Sequence, residues 1–206
     1  MLSLVQPPDL FAPVESGVYR STAVVEPHSI PFLLTLNLRT VLLLTPELPS
    51  RPLISLIDET GIRLNHIGNR PASSVSANSR SIESQSQSMS SWKHLSDEIV
   101  KEGIEFVMNA SNHPCLVMCS SGIHETGAFI GCLRKLLGWN FNSIVVEYRC
   151  FAGSKSRYLI QQFIELFDTD LITLPQNSQT LPFWFKDYLR TLEEDDNERE
   201  QSSITV

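Results

Sequence analysis

The chain has 206 residues, a formal net charge of −7, 42% hydrophobic and 19% charged residues. That length suits one domain with a sizeable core, and no basic surplus exists to neutralise nucleic-acid phosphates. Residues 191–206 hold six acids against Arg199 and carry −5, which leaves only −2 on residues 1–190.

In chain order, residues 1–15 read as a lead-in arm. Pro7, Pro8 and Pro13 interrupt it, and it has no basic stretch ahead of an apolar one, so no export signal is expected. A single domain is expected over 16–190. Within it, Gly17-Val18-Tyr19-Arg20-Ser21 reads as a strand, 30–38 as a helix or helical turn, and 39–44 as a strand stopped by Pro46. Residues 54–60 read as a helix ending at Gly61, and the alternation over 62–67 predicts another strand. Ten of the 22 residues in 70–91 are serine and no apolar period runs through them, which predicts a flexible insertion. A helix fits 92–110, weakened by Gly103. A short apolar strand follows at 115–118, then a polar loop at 119–124. Residues 125–137 form the strongest predicted helix, with Gly138 as its stop. Two more helices are expected over 142–151 and 155–167, and 191–206 reads as an acidic disordered tail. Strands alternating with helices predict an α/β layer fold.

The longest apolar run, 32–44, is broken by Asn37 and Arg39 and is too short to span a bilayer. Cys115, Cys119, Cys132 and Cys150 are expected as reduced thiols in a cytoplasmic protein without membrane association. The spacing of His113, Cys115, Cys119 and His124 resembles a zinc pattern. Cys115 and Cys119 flank a strand that feeds the loop, so no metal and no cofactor is expected.

The segment that carries chemistry runs from His113 through Cys119-Ser120-Ser121-Gly122-Ile123-His124-Glu125-Thr126-Gly127. Strand, short loop and helix in that order aim backbone N–H groups and a helix N-terminus at one point, an anion cradle. A cysteine at the start of such a loop has its thiolate favoured. Here the sequence resembles the cysteine-dependent phosphatases with a His-Cys-x5-Arg-[Ser/Thr] signature. More narrowly it is similar to the plant-and-fungal atypical dual-specificity (tyrosine) phosphatases, a group with fungal oxidant-induced cell-cycle-arrest proteins and inositol-pyrophosphate phosphatases. Supporting segments occur in order over about 9–168, among them Leu38-Arg39-Thr40-Val41, Asn112-His113-Pro114, Glu147-Tyr148-Arg149, Lys155-Ser156-Arg157 and Gln162-Phe163-Ile164. The resemblance implies a dual-specificity-like phosphatase fold, a short and mostly parallel central sheet flanked by helices. It places Cys119 at the nucleophile position, Ser120, Ser121, Gly122, Ile123 and His124 in the phosphate loop, and Thr126 at the hydroxyl position after the arginine.

The departures fall on the chemistry. Glu125 stands where the family's phosphate-binding arginine belongs, and Met118 replaces the histidine before the cysteine. The family's general-acid aspartate should fall in 70–91, whose sole acid is Glu83. Two unit charges about 4 Å apart interact by about 4 kcal/mol at an effective dielectric near 20, so Arg-to-Glu exchange reverses a large term. An acid in the first turn of a helix is also favourable through the dipole, which explains why Glu125 is tolerated. The leading expectation is a pseudophosphatase, a binding or scaffold subunit paired with related active phosphatases, with weak binding of a phosphorylated ligand. The alternatives are a weak phosphatase for phosphotyrosine or inositol pyrophosphates using Cys119, and a redox-responsive thiol protein. The enzymatic alternative requires another arginine, Arg70 or Arg157, to reach the loop. Lys155 and Arg157 read equally as pocket rim or as a solvated helix end.

Overall fold

The computed structural model describes residues 5–68 and 95–204, with side chains described as far as Asp195. The expectations for the serine-rich stretch 70–91 and for Arg70 lie outside the described residues.

Five strands form one sheet: β1 (Ala12–Glu15), β2 (Val18–Thr22), β3 (Thr40–Leu43), β4 (Arg63–His66) and β5 (Cys115–Cys119). Their spatial order is β1-β2-β5-β3-β4, and every pairing is parallel except β1 with β2. The expected α/β fold with a mostly parallel sheet is therefore present. The helices are α1 (Ile30–Thr35), α2 (Arg51–Thr60), α3 (Asp97–Val107), α4 (His124–Leu136), α5 (Phe141–Ala152), α6 (Tyr158–Leu166) and α7 (Phe183–Ile204).

β5 is the centre of the sheet, and all five of its residues are fully buried. Successive side chains of a strand point to opposite faces. Leu116 and Met118 accordingly join Val41, Leu43, Leu53 and Leu56 in the layer under α1 and α2. Cys115, Val117 and Cys119 join Phe129, Leu133, Ile144 and Ile164 in the layer under α4, α5 and α6. A strand buried on both faces reads as a continuous apolar run, which is why Cys-Leu-Val-Met-Cys carries no alternation.

Two boundaries differ from the sequence reading. The arm contains a strand, because β1 pairs with β2 and is fixed at its end by Arg134, which binds Glu15 Oε1 at 2.5 Å and the Val14 carbonyl at 3.0 Å. The stretch 191–206 is helical as far as Ile204, as the continuation of α7. The first turns of α7 dock Phe185, Trp184, Tyr188 and Leu189 on the core, so the acidic residues extend a helix that is already anchored. Among the described residues no helix is long and apolar enough to cross a membrane.

Candidate active site

β5 ends at Cys119, and the chain turns through Ser120, Ser121, Gly122 and Ile123 into α4. The turn needs glycine: Gly122 has φ +70°, and a Cβ there would meet the Thr22 backbone nitrogen at 2.8 Å. The Gly122 amide donates to Cys119 Sγ at 3.1 Å, and the Ile123 amide donates to Ser121 Oγ at 3.2 Å. Strand β2 holds the loop from beneath through two residues on one face. Thr22 Oγ1 donates to the Ser120 carbonyl at 2.9 Å, and Arg20 Nη2 donates to the Gly122 carbonyl at 2.8 Å.

Arg20 is the functional residue that sequence reasoning missed. It is 1% exposed, and its guanidinium lies 3.7 Å from the centroid of the Phe151 ring. Burial lowers its pKa from 12.5 to about 10, opposed by the negative charge of Glu147 and by Cys119. A positive charge therefore does sit within electrostatic reach of Cys119, supplied by β2 rather than by the loop. Among the described residues its Nε has no hydrogen-bond partner, and its Nη2 bond goes to a loop carbonyl. The sequence signal available was an arginine inside the strand motif Gly-Val-Tyr-Arg-Ser.

Cys119 is fully buried, and its thiol is pushed up. Burial is the largest cause, followed by the Glu125 carboxylate, whose charge and hydrogen bond to the thiol both keep the proton on sulfur. Thr126 acts the other way through its hydroxyl and its amide; its Oγ1 is buried with no oxygen or nitrogen partner among the described residues. Glu125 itself is 9% exposed, in the first turn of α4.

Two cavities meet at the loop. The smaller, about 230 Å³, is lined by Thr45, Glu47, Ser120, Ser121, Ile123, His124, Glu125, Lys155 and Arg157. Lys155 and Arg157, read equally as pocket rim or as a solvated helix end, both line this cavity. The larger, about 760 Å³, runs from the loop along the arm at Gln6 to Leu10 and past Phe151 to Lys155. His124 Nδ1 lies 3.2 Å from the Tyr148 hydroxyl, which accepts from the Arg157 amide at 3.0 Å. Burial and then the positive charge of Arg157 lower the His124 pKa; Glu125 opposes and Lys155 adds to the lowering.

The residues of the zinc-like spacing have separate fates. His113 Nε2 bonds the Val107 carbonyl at 2.8 Å, and the buried Cys115 thiol is pushed up to about 12. Among the described residues no three His, Cys, Asp or Glu side chains are grouped as metal ligands.

A parallel sheet whose central strand delivers a cysteine into a loop at a helix N-terminus defines the cysteine-based phosphatase fold, with its site at the strand's carboxyl end. Residues 5–186 match the Tyrosine phosphatase family, and the chain belongs to it. A Dictyostelium discoideum protein named probable tyrosine-protein phosphatase DG1060 is 38% identical over 175 residues, covering 85% of this chain and 95% of its own. The Yarrowia lipolytica protein that carries the OCA1 tyrosine-protein phosphatase name is 37% identical over 182 residues, covering 87% of this chain and 64% of its own. In three dimensions the chain is similar to the core catalytic domain of the PP-IP phosphatase SIW14 from S. cerevisiae, crystallised with citrate. That likeness has a TM-score of 0.66 and 33% identity, and covers 81% of this chain and 90% of the other.

Proposed function

We propose that this chain is a catalytically impaired member of its family, a pseudophosphatase that serves as a binding or scaffold subunit beside active relatives. The observation that carries this reading is Glu125. It is a nine-tenths-buried acid in the wall of the loop cavity, at the position where the resemblance puts the phosphate-binding arginine. Instead of stabilising charge on a transferring phosphoryl group, it opposes that charge and raises the thiol that would have to attack as thiolate. At contact distance, reversing one unit charge shifts an interaction of about 4 kcal/mol, and each 1.4 kcal/mol is about a factor of ten in rate. Arg20 does not replace the lost arginine, because its Nη2 bond is spent on the Gly122 carbonyl and its ring contact keeps it beneath the loop.

The second reading is a weak phosphatase for phosphotyrosine or inositol pyrophosphates. It is favoured by Arg157, a cation on the wall of the same cavity. The raised Cys119 thiol weighs against a redox-responsive role at neutral pH. The test is phosphate release from an aryl phosphate and from an inositol pyrophosphate, wild type against Cys119→Ser. The pseudophosphatase reading expects no difference between the two proteins. Robust hydrolysis lost in Cys119→Ser overturns it. Co-purification with a related active phosphatase tests the scaffold half.

A further inference from the structure

The smaller cavity at the loop is electrically two-sided. Glu125 forms one side, and neither it nor the rim cations Lys155 and Arg157 makes an ion pair within 4 Å among the described residues. Glu47, exposed at the mouth, adds a second carboxylate; the lowered pKa of His124 keeps it neutral at pH 7. Two carboxylates and two cations leave the cavity with no net charge. A dianion would find its two favourable contacts offset by Glu125 and Glu47, and a simple cation would meet the converse. Thr45, 2% exposed, adds a wall residue to the same cavity, and among the described residues its buried Oγ1 has no hydrogen-bond partner. The volume of about 230 Å³ lies below the range for drug-sized ligands, which limits the occupant to a small molecule.

We infer that this cavity binds a small zwitterion, its ammonium end on Glu125 and its carboxylate or phosphate end between Lys155 and Arg157. The inference deepens the pseudophosphatase reading and rests on it: the exchange that removes phosphate affinity from the loop creates a site for an ammonium group. Charge complementarity at both ends discriminates the zwitterion from either half alone.

The test is isothermal titration of the full chain with four probes: O-phosphoethanolamine, β-alanine, ethanolamine and inorganic phosphate. Phosphate release is followed in the same samples. The expected result is one-to-one binding of at least one zwitterion, about tenfold or more tighter than ethanolamine or phosphate. Glu125→Gln and, separately, Lys155→Met each weaken it about tenfold or more, with thermal midpoints unchanged. Comparing O-phosphoethanolamine with β-alanine tells a phosphate end from a carboxylate end. Binding of neither zwitterion, phosphate binding as tight as theirs, or full affinity in Glu125→Gln overturns the inference. Cys119-dependent phosphate release from bound O-phosphoethanolamine overturns the pseudophosphatase reading and leaves the zwitterion site standing, so the two failures are distinguishable.

Discussion

Arg20→Met separates the order of the loop from the stability of the fold. The substitution removes a charge-assisted hydrogen bond to the Gly122 carbonyl, worth about 1.5–3 kcal/mol, and a desolvated cation–π contact with Phe151, worth about 2 kcal/mol. It also removes a cation whose burial costs free energy. The lowering from 12.5 to about 10 corresponds to about 3 kcal/mol. The difference is a net destabilisation of about 0–2 kcal/mol, read from urea unfolding. The loop is affected more than that figure suggests, because the lost bond acts on it directly. A local loss of about 2 kcal/mol raises the open population about 30-fold. Cys119 is fully buried and reacts only when the loop opens, whereas Cys150 is exposed and serves as an internal control. Alkylation followed by mass spectrometry should therefore show Cys119 labelling accelerated by about that factor, with Cys150 unchanged. A destabilisation above about 4 kcal/mol, or an unchanged Cys119 rate, refutes the role given to Arg20.

Gly122→Ala should destabilise by about 2–4 kcal/mol, because the positive φ and the Thr22 backbone both oppose a Cβ; Gly61→Ala, at φ +71° in open space, should lose about 1 kcal/mol in the same urea series. Arg134→Met should lose about 3 kcal/mol, since it leaves Glu15 and Glu147, whose side chains are 23% and 22% exposed, without their shared cation. His113 is held neutral chiefly by burial, with its pKa below 6.5 in the folded chain. The unfolded chain then binds the proton first, so stability is full above about pH 6.5 and falls as pH drops from there through the lower folded value. Comparing urea midpoints at pH 7.5 and pH 5.5 should show that loss, and His113→Gln should shrink it.

The central strand, the loop and α4 were legible because their signals are local and strong: a continuous apolar run, a glycine at the turn, and a helix closed by Gly138. β1 was hidden by Pro13 and by its brevity; its place is set by pairing with β2 and by Arg134, 120 positions from Val14. The start of α7 was hidden by the acids that follow it, yet Phe185 and Tyr188 anchor it through contacts no local pattern reports. At the site, Cys119 and Glu125 were readable from the loop motif, whereas Lys155 and Arg157 read equally as pocket rim or as a solvated helix end. Arg20 was not, because its importance comes from parallel pairing of β2 with β5, which places it opposite Val117 and under the loop. The loop itself has no Lys or Arg, as its sequence says, but the folded cradle draws a charge from the neighbouring strand.

The most direct measurement is turnover by Glu125→Arg beside wild type, on the aryl phosphate and the inositol pyrophosphate, with Cys119→Ser in both backgrounds. If Glu125 silences an otherwise preserved cradle, wild type is inactive and Glu125→Arg gains hydrolysis that disappears in the double variant Glu125→Arg with Cys119→Ser. Cys119-dependent hydrolysis by wild type that equals or exceeds that of Glu125→Arg contradicts the claim.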